Sequence, residues 1–210
     1  MPFLFKVYNE PEGPEFPPPI PWLETFTGEN GSEPDPIYWN YSANGTNVIN
    51  NNKLRMISTH ADGTWSALNF QLSGDFTVAV EWTIQGVAPS NGTAPAGLEI
   101  RINASNRIWM LKQSAPESQQ IWMSSWASNV RVDNKVSATG VYSGKFRVRR
   151  VGNTWYGDYD KGAGWATAAS RNIGFGDTTL IRLINSNWVT TPILWADYDN
   201  FTISQGTPIG

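Results

Sequence analysis

In the run "DFTVAVEWTI" every second residue is apolar: Phe76, Val78, Val80, Trp82 and Ile84 share one side, and Thr77, Ala79, Glu81 and Thr83 the other. A period of two marks a strand with one buried face. "GLEIRIN" repeats it, with Leu98, Ile100 and Ile102 inward and Glu99, Arg101 and Asn103 outward. "KFRVRRVGNTWYGDYD" predicts a hairpin turning at Gly152-Asn153, and "TTLIRLIN" and "PILWADYDNFTI" predict two late strands. No segment keeps a helical period over ten or more residues. The expected fold is all-β, an antiparallel sandwich of two sheets.

The first residues break this pattern. Seven of the fourteen prolines fall within residues 1–21, including "FPPPIPW". Such a run favours polyproline II and cannot pair as a central strand. Residues 1–21 are therefore expected to form an extended arm outside a domain spanning 22–210. "FLFKVY" would be a short strand at its tip, with Phe3, Leu4, Phe5 and Val7 as the apolar contacts to a partner. Next comes "FTGENGSEPDPIYWN", in which ten residues pass without a large apolar side chain before Ile37, Tyr38 and Trp39.

Composition narrows the function classes. The chain has 210 residues, only 16% of them charged, with eleven tryptophans and no cysteine. Disulfides and thiolate metal sites are thereby excluded. Residues 1–36 carry one lysine and seven acids, which argues against a nucleic-acid grip, since that needs a concentrated basic face. No apolar run is long enough to span a membrane, and the first residues lack the apolar core of a secretory signal.

Few residues offer chemistry on their own. His60 is the only histidine and precedes the turn signal Ala61-Asp62-Gly63, so it reads as a structural or surface residue. In "ILWADYDNFTI", Asp197 and Asp199 share the parity of Ile193, Trp195, Phe201 and Ile203. Two inward carboxylates would cost several kcal/mol unless paired or bound. Either a bulge turns them outward, or they accept backbone N–H groups, or they hold a structural Ca²⁺. Most tryptophans fit a sandwich core, Trp82 and Trp195 foremost. Trp155, Tyr156, Trp165 and Trp188 lie beside Gly-rich or Asn-rich turns and are the candidates for stacking on a sugar.

Three segments resemble concanavalin A-like (laminin-G or glucanase-type) jelly rolls. "FTGENGSEPDPIYWN" followed by "VINNNKLRM" is similar to their entry, "GKFRVRRVGNTWYGDYDKGAGW" to a later strand pair, and "ADYDNFTI" to the closing strand. The resemblance implies that the polar loop crosses between sheets and that Trp39 re-enters the core. It also adds weight to a calcium at a sheet edge. The Phe-x-Gly-x-Asn-Gly opening is similar to modules of bacteriophage tail and capsid proteins. Glucanases of this fold carry a Glu-x-Asp-x-Glu strand, because glycosidic cleavage needs two carboxylates across the bond. No such run occurs: Glu81 and Glu99 stand alone, and Glu33-Pro34-Asp35 lies in a proline-broken loop. The expectation is then a non-enzymatic virion structural protein, a capsid decoration or tail appendage. It would be located in the virion and held by its arm to capsid or tail proteins. It is expected to be homo-oligomeric within that assembly, to require no cofactor, to contact neither nucleic acid nor membrane, and to be able to bind a host glycan. The alternatives are a free carbohydrate-binding module and a divergent glycoside hydrolase.

Overall fold

A computed structural model describes residues 16–42, 44–58, 63–84, 94–114, 119–174, 176, 178–186 and 195–210. Phe3, Leu4, Phe5, Val7, His60 and Trp188 lie outside the described residues.

The alternation seen in sequence resolves into two antiparallel sheets. The first joins β3 (Gly45–Ile49), β4 (Leu54–Ser58), β15 (Trp195–Ile209), β6 (Gln71–Ile84), β11 (Ser143–Val151), β12 (Thr154–Asp160) and β13 (Ala166–Asn172), in that order. β1 (Trp22–Glu24) extends it by pairing with the later part of β15. The second sheet runs β2 (Trp39–Tyr41), β5 (Thr64–Leu68), β14 (Thr178–Asn185), β7 (Ala94–Asn103), β8 (Asn106–Ser114), β9 (Gln120–Ala127) and β10 (Val130–Ser137). β14 also pairs with β6 through Thr178 and Thr179, so its first residues belong to the first sheet's ladder. The expected jelly-roll sandwich is the observed fold.

The core lies between the sheets. Phe76, Val78, Val80, Phe146, Val148 and Phe201 reach it from the first sheet, and Leu98, Ile100, Met110, Met123, Ile181 and Leu183 from the second. Gly157 on β12 lets the two layers close: a Cβ there would collide with the sulfurs of Met110 and Met123. Trp39 is 1% exposed and packs edge-on to Phe201, so the polar stretch before it does lead back into the core.

One open choice is decided and three expectations change. Of the alternatives for Asp197 and Asp199 in "ILWADYDNFTI", the bulge is the one observed: the register with β6 shifts between Asp199 and Thr202, and Asn200 has φ 47°. The extra residue reverses the side-chain alternation. Ala196 and Tyr198 therefore point inward with Phe201 and Ile203, while Trp195, Asp197 and Asp199 face out. Trp195 is consequently not a core member, and its ring lies under Arg55, 4.2 Å from Cζ to centroid. Trp155, expected near the surface, is 1% exposed and set edge-on to Phe76. It pairs with Arg150 across the hairpin, one residue past the turn strand's first pair, and that register sends it inward. Finally, residues 16–21, expected outside the fold, lie on it: Pro18 is buried and Phe16 meets Phe70 edge-on at 6.1 Å.

Candidate functional site

Outer faces of the two sheets differ in chemistry. On the first, β15, β6, β11 and β12 place Asp199, Glu81, Lys145 and Asp160 in one cross-strand row. They line a cleft of about 260 Å³ together with Lys53 and Asp197. Lys145 donates to Glu81 Oε1 at 2.5 Å. That hydrogen bond holds the Glu81 pKa below its usual range, with burial opposing it and Asn200 assisting. Asn200, the bulge residue, touches both carboxylates: its backbone N–H donates to Asp199 Oδ1 (2.7 Å) and its Nδ2 to Glu81 Oε2 (3.1 Å).

A calcium ion at Asp197 and Asp199, the last of the three alternatives, would compete with the partners these carboxylates already have. Asp197 spends both oxygens on a bidentate pair with Arg55, at 2.8 Å each. Among the described residues no three acidic, His or Cys side chains converge as metal ligands. Nearby, Asp158 is fully buried and accepts from Arg147, Arg149 and Thr167. Tyr156 and Trp165 share this face and carry those arginines, with Arg149 Cζ 4.7 Å from the Tyr156 centroid and Arg147 Cζ 4.3 Å from that of Trp165. Trp155, buried on the other side of β12, has no ring face open to a sugar and donates its indole N–H to the Ile173 carbonyl.

The second sheet presents tryptophans that the sequence reading passed over. On β8, Ile108 and Met110 point to the core, so Arg107, Trp109 and Leu111 point out. Register then builds three rows. Arg182, Glu99, Trp109, Ser124 and Asp133 form the middle one. Arg101, Arg107, Trp126 and Arg131 flank it on one side, and Trp65, Gly97, Leu111 and Trp122 on the other. Glu99 lies at the centre, 4% exposed, accepting from Trp109 Nε1 at 2.9 Å and facing Arg182 at 3.6 Å.

Cations brace the indoles. Arg107 Cζ sits 4.8 Å from the Trp109 centroid and 4.4 Å from that of Trp126, whose rings meet edge-on at 4.5 Å. Arg182 covers Trp65 at 4.6 Å, and Lys135 covers Trp122 at 4.1 Å. Such contacts fix ring orientation as well as adding attraction. A cleft of about 320 Å³ opens among Trp65, Glu99, Arg101, Arg107, Trp109 and Arg182. Burial lowers the Arg107 pKa, Glu99 opposes that, and the neighbouring Arg101 and Arg131 lower it further. Aromatic faces, guanidinium forks and a single sunken carboxylate suit a polyhydroxylated ligand, whose C–H faces stack and whose oxygens accept hydrogen bonds.

No family model matches the chain, and no curated protein matches its sequence. Solved structures do match its fold. A functionally unknown protein from Saccharomyces cerevisiae superposes with TM-score 0.65 at 11% identity, covering 82% of this chain and 98% of its own. The Bacillus licheniformis beta-glucanase gives TM-score 0.62 at 11% identity, over 88% of this chain and 98% of the enzyme. The GH43B protein of the Bacteroides ovatus xyloglucan PUL gives 0.66 at 14% identity, over 96% of this chain but 42% of that protein. The sandwich is concanavalin A-like. These matches correct the expectation of a non-enzymatic protein: the Bacillus licheniformis beta-glucanase has this same sandwich over 98% of its length, so the fold is one that carries enzymes. None of these three structures is described as a virion protein, and the virion role draws no support from them.

Proposed function

We propose that the protein acts on a polysaccharide held in the groove on the outer face of the second sheet, and that its reaction is hydrolysis of a glycosidic bond. The observation that carries this reading is the set of three half-buried outward tryptophans, Trp65, Trp109 and Trp122, one on each of three strands around Glu99, with Trp126 buried against Trp109. Their braced rings make successive stacking platforms for pyranose units. Glu99 is the carboxylate at the groove floor, fixed by Trp109 Nε1, and is placed to give a leaving glycosidic oxygen its proton. It supplies one of the two carboxylates that cleavage uses, the other of this face, Asp133, standing three strands along the same row. Support for hydrolysis as the reaction class comes from the Bacillus licheniformis beta-glucanase, which shares the fold over 98% of its length.

One observation favours a second location for the chemistry. Two-carboxylate hydrolysis with retention uses carboxyl groups about 5 Å apart. Glu81 and Asp199 are direct cross-strand neighbours on the first sheet, where side-chain origins lie about 5 Å apart. The lowered Glu81 pKa suits a nucleophile there. Reducing-sugar release from a panel of plant and microbial polysaccharides decides between them. Loss of turnover in Glu99→Gln with Glu81→Gln unaffected supports the groove, and the reverse moves the reaction to the first sheet. Absence of both binding and turnover across the panel would refute the proposal.

A further inference from the structure

The first sheet neutralises its outward cations: Arg55 with Asp197, Lys145 with Glu81, and Arg147 and Arg149 with Asp158. The second does not. Across its rows Arg101, Arg107, Arg131, Lys135 and Arg182 face only Glu99 and Asp133, on a chain whose formal net charge is −3. Arg101 and Arg107 are direct cross-strand neighbours, and among the described residues neither has a carboxylate within ion-pair distance. Like charges directly opposite one another destabilise a sheet. The Nε of Arg107 is, moreover, buried without a hydrogen-bond partner. Two guanidinium groups placed opposite one another at such a cost, one of them lying against both Trp109 and Trp126, form a receptor for an anion.

We propose that the groove takes a polyuronate, a glycan whose ring carboxylates seat at Arg101 and Arg107 while its pyranose rings lie against the tryptophans. This rests on the reading of the groove as a glycan site and names the class of glycan. A planar carboxylate matches the guanidinium fork bidentately. Nucleic acid is disfavoured because a phosphodiester chain follows a continuous cationic track, which Glu99 and Asp133 interrupt.

The test titrates tryptophan fluorescence of the full chain with polygalacturonate, a neutral β-glucan, a sulfated glycosaminoglycan and oligo-dT, at about 25 mM and about 300 mM salt. Polygalacturonate is expected to bind about tenfold tighter than the neutral glucan and to weaken severalfold at the higher salt. Arg101→Gln and Arg107→Gln should each weaken it about tenfold. Arg107→Lys, which keeps the charge but not the fork, should weaken it too. Should Arg107→Gln fail to fold, Arg101→Gln, which uncovers no tryptophan, carries the test. Equal affinity for the neutral glucan, or unchanged affinity in Arg101→Gln, overturns the polyuronate and leaves the glycan groove standing. Tighter binding of the sulfated glycan or of oligo-dT also overturns it. Failure of every glycan to bind overturns the groove itself.

Discussion

Lys112 sits where a lysine should not. It is fully buried on the core side of β8, beyond Ile108 and Met110, and its Nζ donates to the Gln113 carbonyl at 3.1 Å. Burial pushes its pKa down to about 8 from 10.5. A shift of that size corresponds to a penalty of about 3 kcal/mol on the charged form at neutral pH. Lys112→Met keeps the length and removes the charge, at the loss of one hydrogen bond worth about 1 kcal/mol. The variant should therefore be more stable by roughly 2 kcal/mol at pH 7, raising Tm by about 4–8 °C for a chain of this size. The sign with pH follows from linkage. Between pH 8 and 10.5 the unfolded chain binds the Lys112 proton and the folded one does not, so wild-type stability gains from this group as pH rises through that window. Below about pH 8 both states are protonated and the penalty is constant. Thermal melts of both proteins from about pH 7 to about pH 10.5 check this. The gap should be widest at the acidic end and shrink towards the alkaline end. A variant less stable than wild type at pH 7, or a gap that does not shrink, refutes the reasoning.

Other perturbations follow from the same packing. Asp158→Ala strands Arg147 and Arg149 and should cost about 3 kcal/mol, read as a lower Tm in a thermal melt. Burial alone would raise the Asp158 pKa, but hydrogen bonds from Arg149, Thr167 and Arg147 leave it below 3.8. Its contribution is thus complete above about pH 4 and is lost as pH falls through the lowered value, so melts of wild type and Asp158→Asn should converge in acid. Gly157→Val drives a side chain into Met110 and Met123 and should cost about 1–3 kcal/mol or prevent folding, seen as a lower midpoint in urea.

Much of the fold was legible because its longest strands bury one face. β6, β7 and the β11–β12 hairpin alternate as read, and the hairpin turns at Gly152-Asn153. In β15 the cost of two inward carboxylates points to a bulge as one alternative, but its position at Asn200 leaves no mark in composition, and parity alone therefore puts Trp195 on the wrong face. Trp155 departs from its expected place because nearness to a turn does not entail exposure: the hairpin register sets it opposite Arg150, on the core side. The second-sheet groove was harder to see. "RIWML" and "IWMSSW" are apolar at both parities, so Trp109, Trp122 and Trp126 looked like core. Their shared face exists only through cross-strand register, although the alternation of "GLEIRIN" does show Glu99 and Arg101 facing out. Interleaving of arginine with tryptophan in "NRIW" was the one available signal, and it is weak without a partner strand.

β14 gives its first residues to β6 and the rest to β5 and β7. Two layers that met only through side chains could separate with each ladder intact. Here one strand is stitched into both, and Tyr198 adds a second stitch by donating from β15 to the Ile184 carbonyl at 2.6 Å. Fraying at that seam exposes amides of both layers at once, so the slowest-exchanging protons of the two sheets should open as a single cooperative unit. The arginines and tryptophans of the second sheet's outer face are then positioned by both ladders, not by their own sheet alone.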